Sequence, residues 1–293
     1  MDFHSPALAD KENADKAFLK GQPTCCEYCF GNIYMWAPIY NNKMRCDGGL
    51  FVSGDFTERP VYCYPCGEGD KKGLIESLIK DNNGALSFYG LTEKDKEELN
   101  SFFPDMFKIT EERDYFDYLY LTEDLAKLAG RKYHSKRNHI SFFESNYKWH
   151  YEPISRDNIK DCIMLSDHWE GLNAYKSPEE ISNEHSAIKR AFNNYFDLGL
   201  EGGILTVEND IVAFTFGERL NDSTFCTHIE KAYGDIRGAY QMINRELARQ
   251  LSGRYEYINR EDDTGSEGLR SAKLSYHPHR LIVKYSAEYG GEL

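Results

Sequence analysis

No run of apolar residues in this 293-residue chain approaches the roughly 18–20 that a helix needs to cross a bilayer. The opening residues, Met1-Asp2-Phe3-His4-Ser5-Pro6, hold neither a basic stretch nor an apolar one, so no secretory signal is read there and a cytoplasmic location is expected. Positive charge is scarce. Lys and Arg number 35 against 48 Asp and Glu, and the net charge of −13 argues against a broad nucleic-acid or anionic-membrane surface. In a reducing compartment the eight cysteines are expected to be free thiols, so no disulfide framework is read from them. What is present suffices for packed cores: 41% of the residues are hydrophobic and 14% aromatic, which excludes a disordered chain. The length suits about two domains.

Punctuation by glycine and proline divides the chain. Residues 3–6 read as a strand and 7–20 as a helix anchored by Leu8, Phe18 and Leu19. Strands at 43–46 and 50–53 flank Asp47-Gly48-Gly49, a hairpin turn in which glycine takes positive φ at little cost. Then come a strand at 60–65, the loop Gly67-Glu68-Gly69, a helix over 71–80, a strand at 85–89, a helix from Thr92 to Phe103-Pro104, and two strands within 108–121. From residue 223 that order recurs: strand 223–232, a loop with Gly234 and Gly238, helix 238–251, strand 254–259, helix 267–276, and one strand over 280–289. Between the two runs lie a strand at 147–154, a helix to Trp169, a helix over 177–198, and a hairpin over 202–217 turning at Glu208-Asn209.

The residue identities of the two runs hardly match, but their element order and helix stops do. That recurrence predicts an internal duplication: an α/β chain of two mixed-sheet domains, 1–138 and 139–293. Any active site is expected in the second, because Glu68 and Asp70 would repel a phosphate at the first-half loop.

Four stretches carry a family resemblance. They are residues 26–36, with Cys26-Glu27-Tyr28-Cys29-Phe30-Gly31-Asn32; residues 130–138, with Arg131-Lys132-Tyr133-His134; residues 230–244, with Glu230-Lys231-Ala232 and Gly238-Ala239-Tyr240-Gln241; and residues 259–278, with Asn259-Arg260-Glu261-Asp262-Asp263-Thr264-Gly265 and Leu269-Arg270-Ser271-Ala272-Lys273. Together they resemble a bacterial family grouped with the C-terminal domain of phosphatidylglycerol lysyltransferases. The resemblance implies tandem acyltransferase domains of the GNAT fold. It also implies aminoacyl transfer from a charged transfer RNA, although no membrane-embedded domain is read in this sequence. The fold carries over more safely than the lipid substrate.

Within that frame, residues 231–241 resemble the loop with which such acyltransferases hold a pyrophosphate on backbone N–H groups and a helix N-terminus. The usual pattern is Gln or Arg, two residues, Gly, one residue, then Gly or Ala. Lys231 precedes Gly234 as required, but Ile236 stands where a small residue belongs, and Gly238-Ala239 follows two positions later. Gly234, Arg237, Gly238, Ala239, Tyr240 and Gln241 are the candidate donor-binding residues, for acyl-CoA or aminoacyl-tRNA as co-substrate. Gly238 is expected to admit a phosphate, so Gly238→Glu should spare the fold and weaken donor binding. The alternative is an ordinary glycine-capped strand-to-helix loop.

Glu261, Asp262 and Asp263 follow a core strand, and Glu230 closes the strand before the loop. These four carboxylates are the catalytic candidates, because an amine acceptor needs a negative neighbour and a base. The bland alternative is a solvated loop capping the next helix. Arg131, Lys132, Lys136 and Arg137 form the one basic run of an acidic chain and are candidates for a phosphate or RNA contact; otherwise they are a solvated helix face. Cys26-x-x-Cys29 and Cys63-x-x-Cys66 would suit a structural zinc, but their aromatic and strand contexts read as core cysteines, so no metal is expected. The sequence thus points to an N-acyl or aminoacyl transferase acting on an amine or hydroxyl. A non-catalytic protein that keeps the fold to bind a small anion is the alternative. It leaves the oligomeric state open.

Overall fold

The computed structural model describes residues 2–173 and 178–291. In chain order its elements are α1 (Lys11–Gly21), α2 (Phe30–Trp36), β1 (Asn42–Asp47), β2 (Leu50–Asp55), β3 (Val61–Cys63), β4 (Cys66–Gly67), α3 (Lys71–Asp81), β5 (Ser87–Leu91), α4 (Glu93–Phe102), β6 (Phe107–Glu111), β7 (Asp117–Leu121), α5 (Thr122–Lys127), α6 (His134–Asn146), β8 (Trp149–Pro153), α7 (Ile159–Asn173), α8 (Pro178–Asn193), β9 (Glu201–Val207), β10 (Asp210–Arg219), β11 (Thr224–Ala232), α9 (Ala239–Leu251), β12 (Tyr257–Asn259), α10 (Glu267–Leu274), β13 (Arg280–Ile282) and β14 (Tyr285–Tyr289). The predicted helix start at residue 177 lies outside the described residues.

Local chemistry sets many boundaries. Gly48 and Gly49, at φ +55° and +84°, close the β1–β2 hairpin, and a Cβ on Gly49 would sit 2.4 Å from the Glu68 carbonyl. The Asp70 carboxylate accepts from Gly73 N and caps α3. At α4 the Thr92 hydroxyl accepts from Asp95 N while the Asp95 carboxylate accepts from Thr92 N, a reciprocal capping box. Thr92→Ala should therefore lower stability by about 1 kcal/mol, read as a shift of the urea midpoint at unchanged slope. An unshifted midpoint would show that this cap contributes nothing.

The two sheets follow one plan. The first runs β1-β2-β3-β5-β14-β6, with β4 added beside β2; the second runs β13-β7-β12-β11-β10-β9-β8. Two antiparallel pairings in the first sheet and three in the second lead to a parallel one, β3 with β5 and β11 with β12. Each then continues through two antiparallel pairings. The next-to-last strand is exchanged: β14, from the end of the chain, fills that place in the first sheet, and β7, from the first half, fills it in the second.

Two sequence readings change accordingly. The single strand expected over 280–289 is two strands in different sheets, parted at Val283-Lys284. A cut between residues 138 and 139 falls inside α6, and with β7 and β14 exchanged neither half completes its sheet alone. Packing joins the halves as well. One core takes Phe18, Phe30 and Phe51 from the first half together with Phe192, Phe214 and Phe216 from the second. The other cores back each sheet separately, one under α9 and one under α3 and α4.

Candidate functional site

β11 and β12 pair only from Thr224–Cys226 to Tyr257–Asn259 and then part, which opens the second sheet at its middle. Beside this opening the pairing of β10 with β11 slips: Gly217 faces Thr227 and Phe216 faces Ile229, so His228 is the extra residue of a bulge. Gly217 makes this possible, because a Cβ there would lie 1.8 Å from the Cys226 carbonyl. His228 is thereby set between two carboxylates. Its Nε2 lies 3.0 Å from Glu218 Oε1 on β10, and its Nδ1 lies 2.7 Å from Glu261 Oε1 past the end of β12. Burial opposes charge on this ring, but the Cys226 sulfur and the two carboxylates outweigh it and hold the imidazole well above its ordinary range.

The first half closes the arrangement through α2. Asn32 donates its backbone N–H to Glu218 Oε1 at 3.2 Å and its side-chain amide to Glu261 Oε1 at 3.2 Å, leaving its own Oδ1 buried without a partner. A Cβ at Gly31 would come within 2.7 Å of Glu218 Oε1, so glycine permits this approach. Glu261 itself is held at φ +56°, with its N–H donating to Asn259 Oδ1 at 2.7 Å.

Asp262 is half-buried, and its Oδ1 accepts the Thr264 N–H at 3.0 Å. Burial pushes its carboxyl up to about 6, helped by Asp117 and Glu261 and opposed by Lys284 and Lys273. Burial likewise raises the Tyr40 hydroxyl, to which Asp55, Asp262 and Glu180 add negative potential. Around Asp262, the carboxylates of Asp117 and Glu261 are thus balanced in part by Lys284 and Lys273, whose ammonium donates to the Asp262 carbonyl.

Behind this site a buried ion cluster marks the strand exchange. Lys284, between β13 and β14, is wholly buried with Nζ 2.7 Å from both Asp117 Oδ1 and Glu27 Oε1. Asp117 opens β7 and also accepts from Cys26 N and Asn259 Nδ2, each at 2.8 Å. Burial pushes Glu27 up to about 7, against the pull of Lys284.

The other carboxylates named from the sequence are engaged elsewhere. Glu230 pairs with Arg260 at 3.0 Å and accepts from Asn244 at 3.1 Å. Asp263 is wholly buried and bound by Arg270 at 2.7 Å and by the Tyr118 hydroxyl, and the Arg270 guanidinium holds its carboxyl well below the usual carboxylate range. The structure therefore separates the four: Glu261 and Asp262 lie at the opening, whereas Glu230 and Asp263 serve internal ion pairs.

The loop reading needs correction at one residue. Gly238 is buried at φ +94°, and its Cβ position lies 2.5 Å from the His139 carbonyl of α6. The close approach that requires glycine is to a helix of the same chain. Gly234 and Arg237 are exposed, Arg237 stacks over Phe142 at 4.3 Å, Ala239 is buried, and Tyr240 and Gln241 follow on the first turn of α9. In the basic run, Arg137 donates to the carbonyls of Leu128 and Gly130, Lys132 pairs with Asp124 at 3.1 Å, and Lys136 donates to Ser275 Oγ at 2.7 Å; Arg131 is exposed. In the first half, Gly67 and Lys71 border a cavity of about 350 Å³, where Lys71 is already paired with Glu98 at 2.8 Å.

Sequence reading missed Asn32, Glu218 and His228. The available signal was Gly217 inside an otherwise apolar strand, which marks a bulge; nothing local indicated that α2 would reach it.

Among the described residues no helix is long and apolar enough to cross a membrane. The sequence model of the family described as phosphatidylglycerol lysyltransferase, C-terminal, matches residues 21–288. A solved conserved protein of Bacteroides thetaiotaomicron is 39% identical, with 99% of each chain covered and a TM-score of 0.92. L-PGS from Bacillus licheniformis is 16% identical, with 99% of this chain and 94% of that one covered at a TM-score of 0.66. A tandem GNAT protein from the clavulanic acid biosynthesis pathway is 8% identical, covering 100% and 99% at a TM-score of 0.50. The last two share the fold, and the strand plan above is that of a tandem GNAT chain.

Proposed function

Since the chain belongs to the phosphatidylglycerol lysyltransferase C-terminal family, with a transferase-like tandem GNAT fold, we propose that it moves an acyl or aminoacyl group from an anionic donor to an amine or hydroxyl acceptor. The observation that carries this reading is Asp262, a half-buried carboxylate raised to about 6 beside the parting of β11 and β12. A carboxylate of that pKa holds an ammonium group and takes its proton near neutral pH. The freed amine attacks the ester or thioester carbonyl. The new bond to carbon forms as the bond to the leaving oxygen or sulfur breaks, and the released proton ends on the leaving group. Asn32 and His228 act by positioning, since both bind Glu261 next to it. Gly238 is closed against α6 whereas Gly234 stays open, so the loop leaves both acyl-CoA and aminoacyl-tRNA as candidate donors.

A thermal-shift screen of coenzyme A, acyl-CoAs and aminoacyl-tRNA analogues tests the donor. A ligand at 100 times its dissociation constant adds about 2.7 kcal/mol of stability. With the best donor in hand, Asp262→Asn should leave donor affinity unchanged and slow transfer at least about tenfold, equivalent to about 1.4 kcal/mol. Full turnover in that variant would remove Asp262 from the chemistry. The partial match of the loop, with Ile236 where a small residue belongs, favours the second reading, a binding protein for a small anion, which predicts a ligand in the screen and no transfer from it.

A further inference from the structure

We propose that Cys29, Cys226, His228 and Glu261 form a zinc site that ties the two halves of the chain together. It shares His228 and Glu261 with the transfer reading, but that reading rests on Asp262 and the test below reads metal rather than transfer. The donor atoms of Cys29, Cys226 and His228 all lie within 4.8 Å of one another, and all three residues are buried. Glu261 Oε1 lies beside that group, 3.8 Å from Cys226 Sγ and 2.7 Å from His228 Nδ1, and would supply the fourth donor. Two sulfurs, one imidazole nitrogen and one carboxylate oxygen are all donor types that a four-coordinate zinc accepts.

The surroundings support this reading. A ligating histidine commonly donates its second ring nitrogen to a carboxylate, which fixes its tautomer. Here Nε2 faces Glu218 Oε1 at 3.0 Å, and Glu218 is itself held by the Asn32 N–H, so Nδ1 is the nitrogen turned toward Glu261. The bulge at Gly217 and the left-handed backbone of Glu261 aim two of the four groups. Left-handed backbone at a non-glycine residue is costly and persists where the surroundings impose it. Binding would release the thiol protons and any proton on His228. Cys29 caps α2 in the first half, whereas the other three ligands come from the second.

A second group, Cys26, Glu27 and Asp117, is also close enough for a metal. The Lys284 ammonium, 2.7 Å from both carboxylates, already supplies the cation there. The sequence reading weighed only neighbouring thiols, Cys26 with Cys29 and Cys63 with Cys66. The cluster instead joins one thiol of the first pair to one on β11.

The test is elemental analysis of the full chain purified without added metal, followed by chelation and titration with cobalt(II). The expected result is about one zinc per chain and, after exchange, a thiolate-to-cobalt charge-transfer band in the near ultraviolet. A chain that purifies empty but develops this band on titration supports the site equally. Cys226→Ser should lose both metal and band, and Cys26→Ser should keep both. Wild-type protein with native circular dichroism that takes up neither zinc nor cobalt overturns the proposal. So does a folded Cys226→Ser protein that retains zinc at the wild-type level. If Cys226→Ser fails to fold, the wild-type cobalt spectrum decides.

Discussion

Replacing Lys284 by alanine should lower stability by about 3–5 kcal/mol, measured by urea unfolding with linear extrapolation. The ammonium is wholly buried between Asp117 and Glu27, at 2.7 Å from each, so its removal leaves two carboxylates without a countercharge in a low-dielectric interior. The position matters as much as the charge. Lys284 lies where the chain passes from β13 in the second sheet to β14 in the first, Asp117 lies where it enters β7 in the second, and the Lys284 carbonyl accepts from Glu112 N at 2.9 Å. The pair therefore fastens both crossings of an exchange on which both sheets depend.

The loss should shrink as the pH falls below about 7. Glu27 is pushed up to about 7 in the folded protein, above the 4.5 of a free glutamate, so the folded state holds the extra proton between those values. Stability then falls as the pH rises through that window. Removing the neighbouring cation strengthens the preference for the proton, so acid relieves the variant more than the wild type. A loss below about 1 kcal/mol at pH 8 would show that the cluster does not carry the crossing.

Substituting Gly238 should cost about 2–4 kcal/mol even in the mildest case, Gly238→Ala. The sequence-based expectation was the reverse, that Gly238→Glu would spare the fold and act on a ligand. Two independent penalties apply. The backbone sits at φ +94°, a region L-residues rarely enter, and any Cβ would lie 2.5 Å from the His139 carbonyl and 3.0 Å from the Phe143 side chain. A backbone carbonyl inside α6 cannot give way as the tip of a flexible side chain can. Thermal unfolding of Gly238→Ala alongside wild type decides the matter. Equal stability would mean that α6 moves freely from the loop, and the donor reading of Gly238 would then regain its footing.

The elements that were legible before the structure are those written in local chemistry. The Asp47-Gly48-Gly49 turn needs only residues able to adopt positive φ. The Thr92 cap needs only its own first turn, and α9 declares itself by Met242, Ile243, Leu247 and Leu251 returning to one face. The family stretches were legible too, because Glu261 and Asp262 lie in one continuous segment. What was misread is equally specific. Residues 280–289 look like one extended run because both strands favour extended backbone, and nothing in their composition reveals that the middle of the run crosses between sheets.

The sequence by itself determined much of the element order, the repeated plan of the two halves and the family, since these depend on near-neighbour preferences and on contiguous motifs. Only the tertiary structure decided which carboxylates remain available. Glu230, Glu261, Asp262 and Asp263 are chemically alike as text, yet Arg260 takes the first, His228 the second and Arg270 the fourth. Likewise only the fold brings Cys29 and Asn32 to Cys226, His228 and Glu261, roughly 190 to 230 positions away in the chain. The physical reason is that a charge or a ligand is defined by its partners within a few ångströms, where Coulomb and coordination forces act, and sequence separation carries no information about that distance.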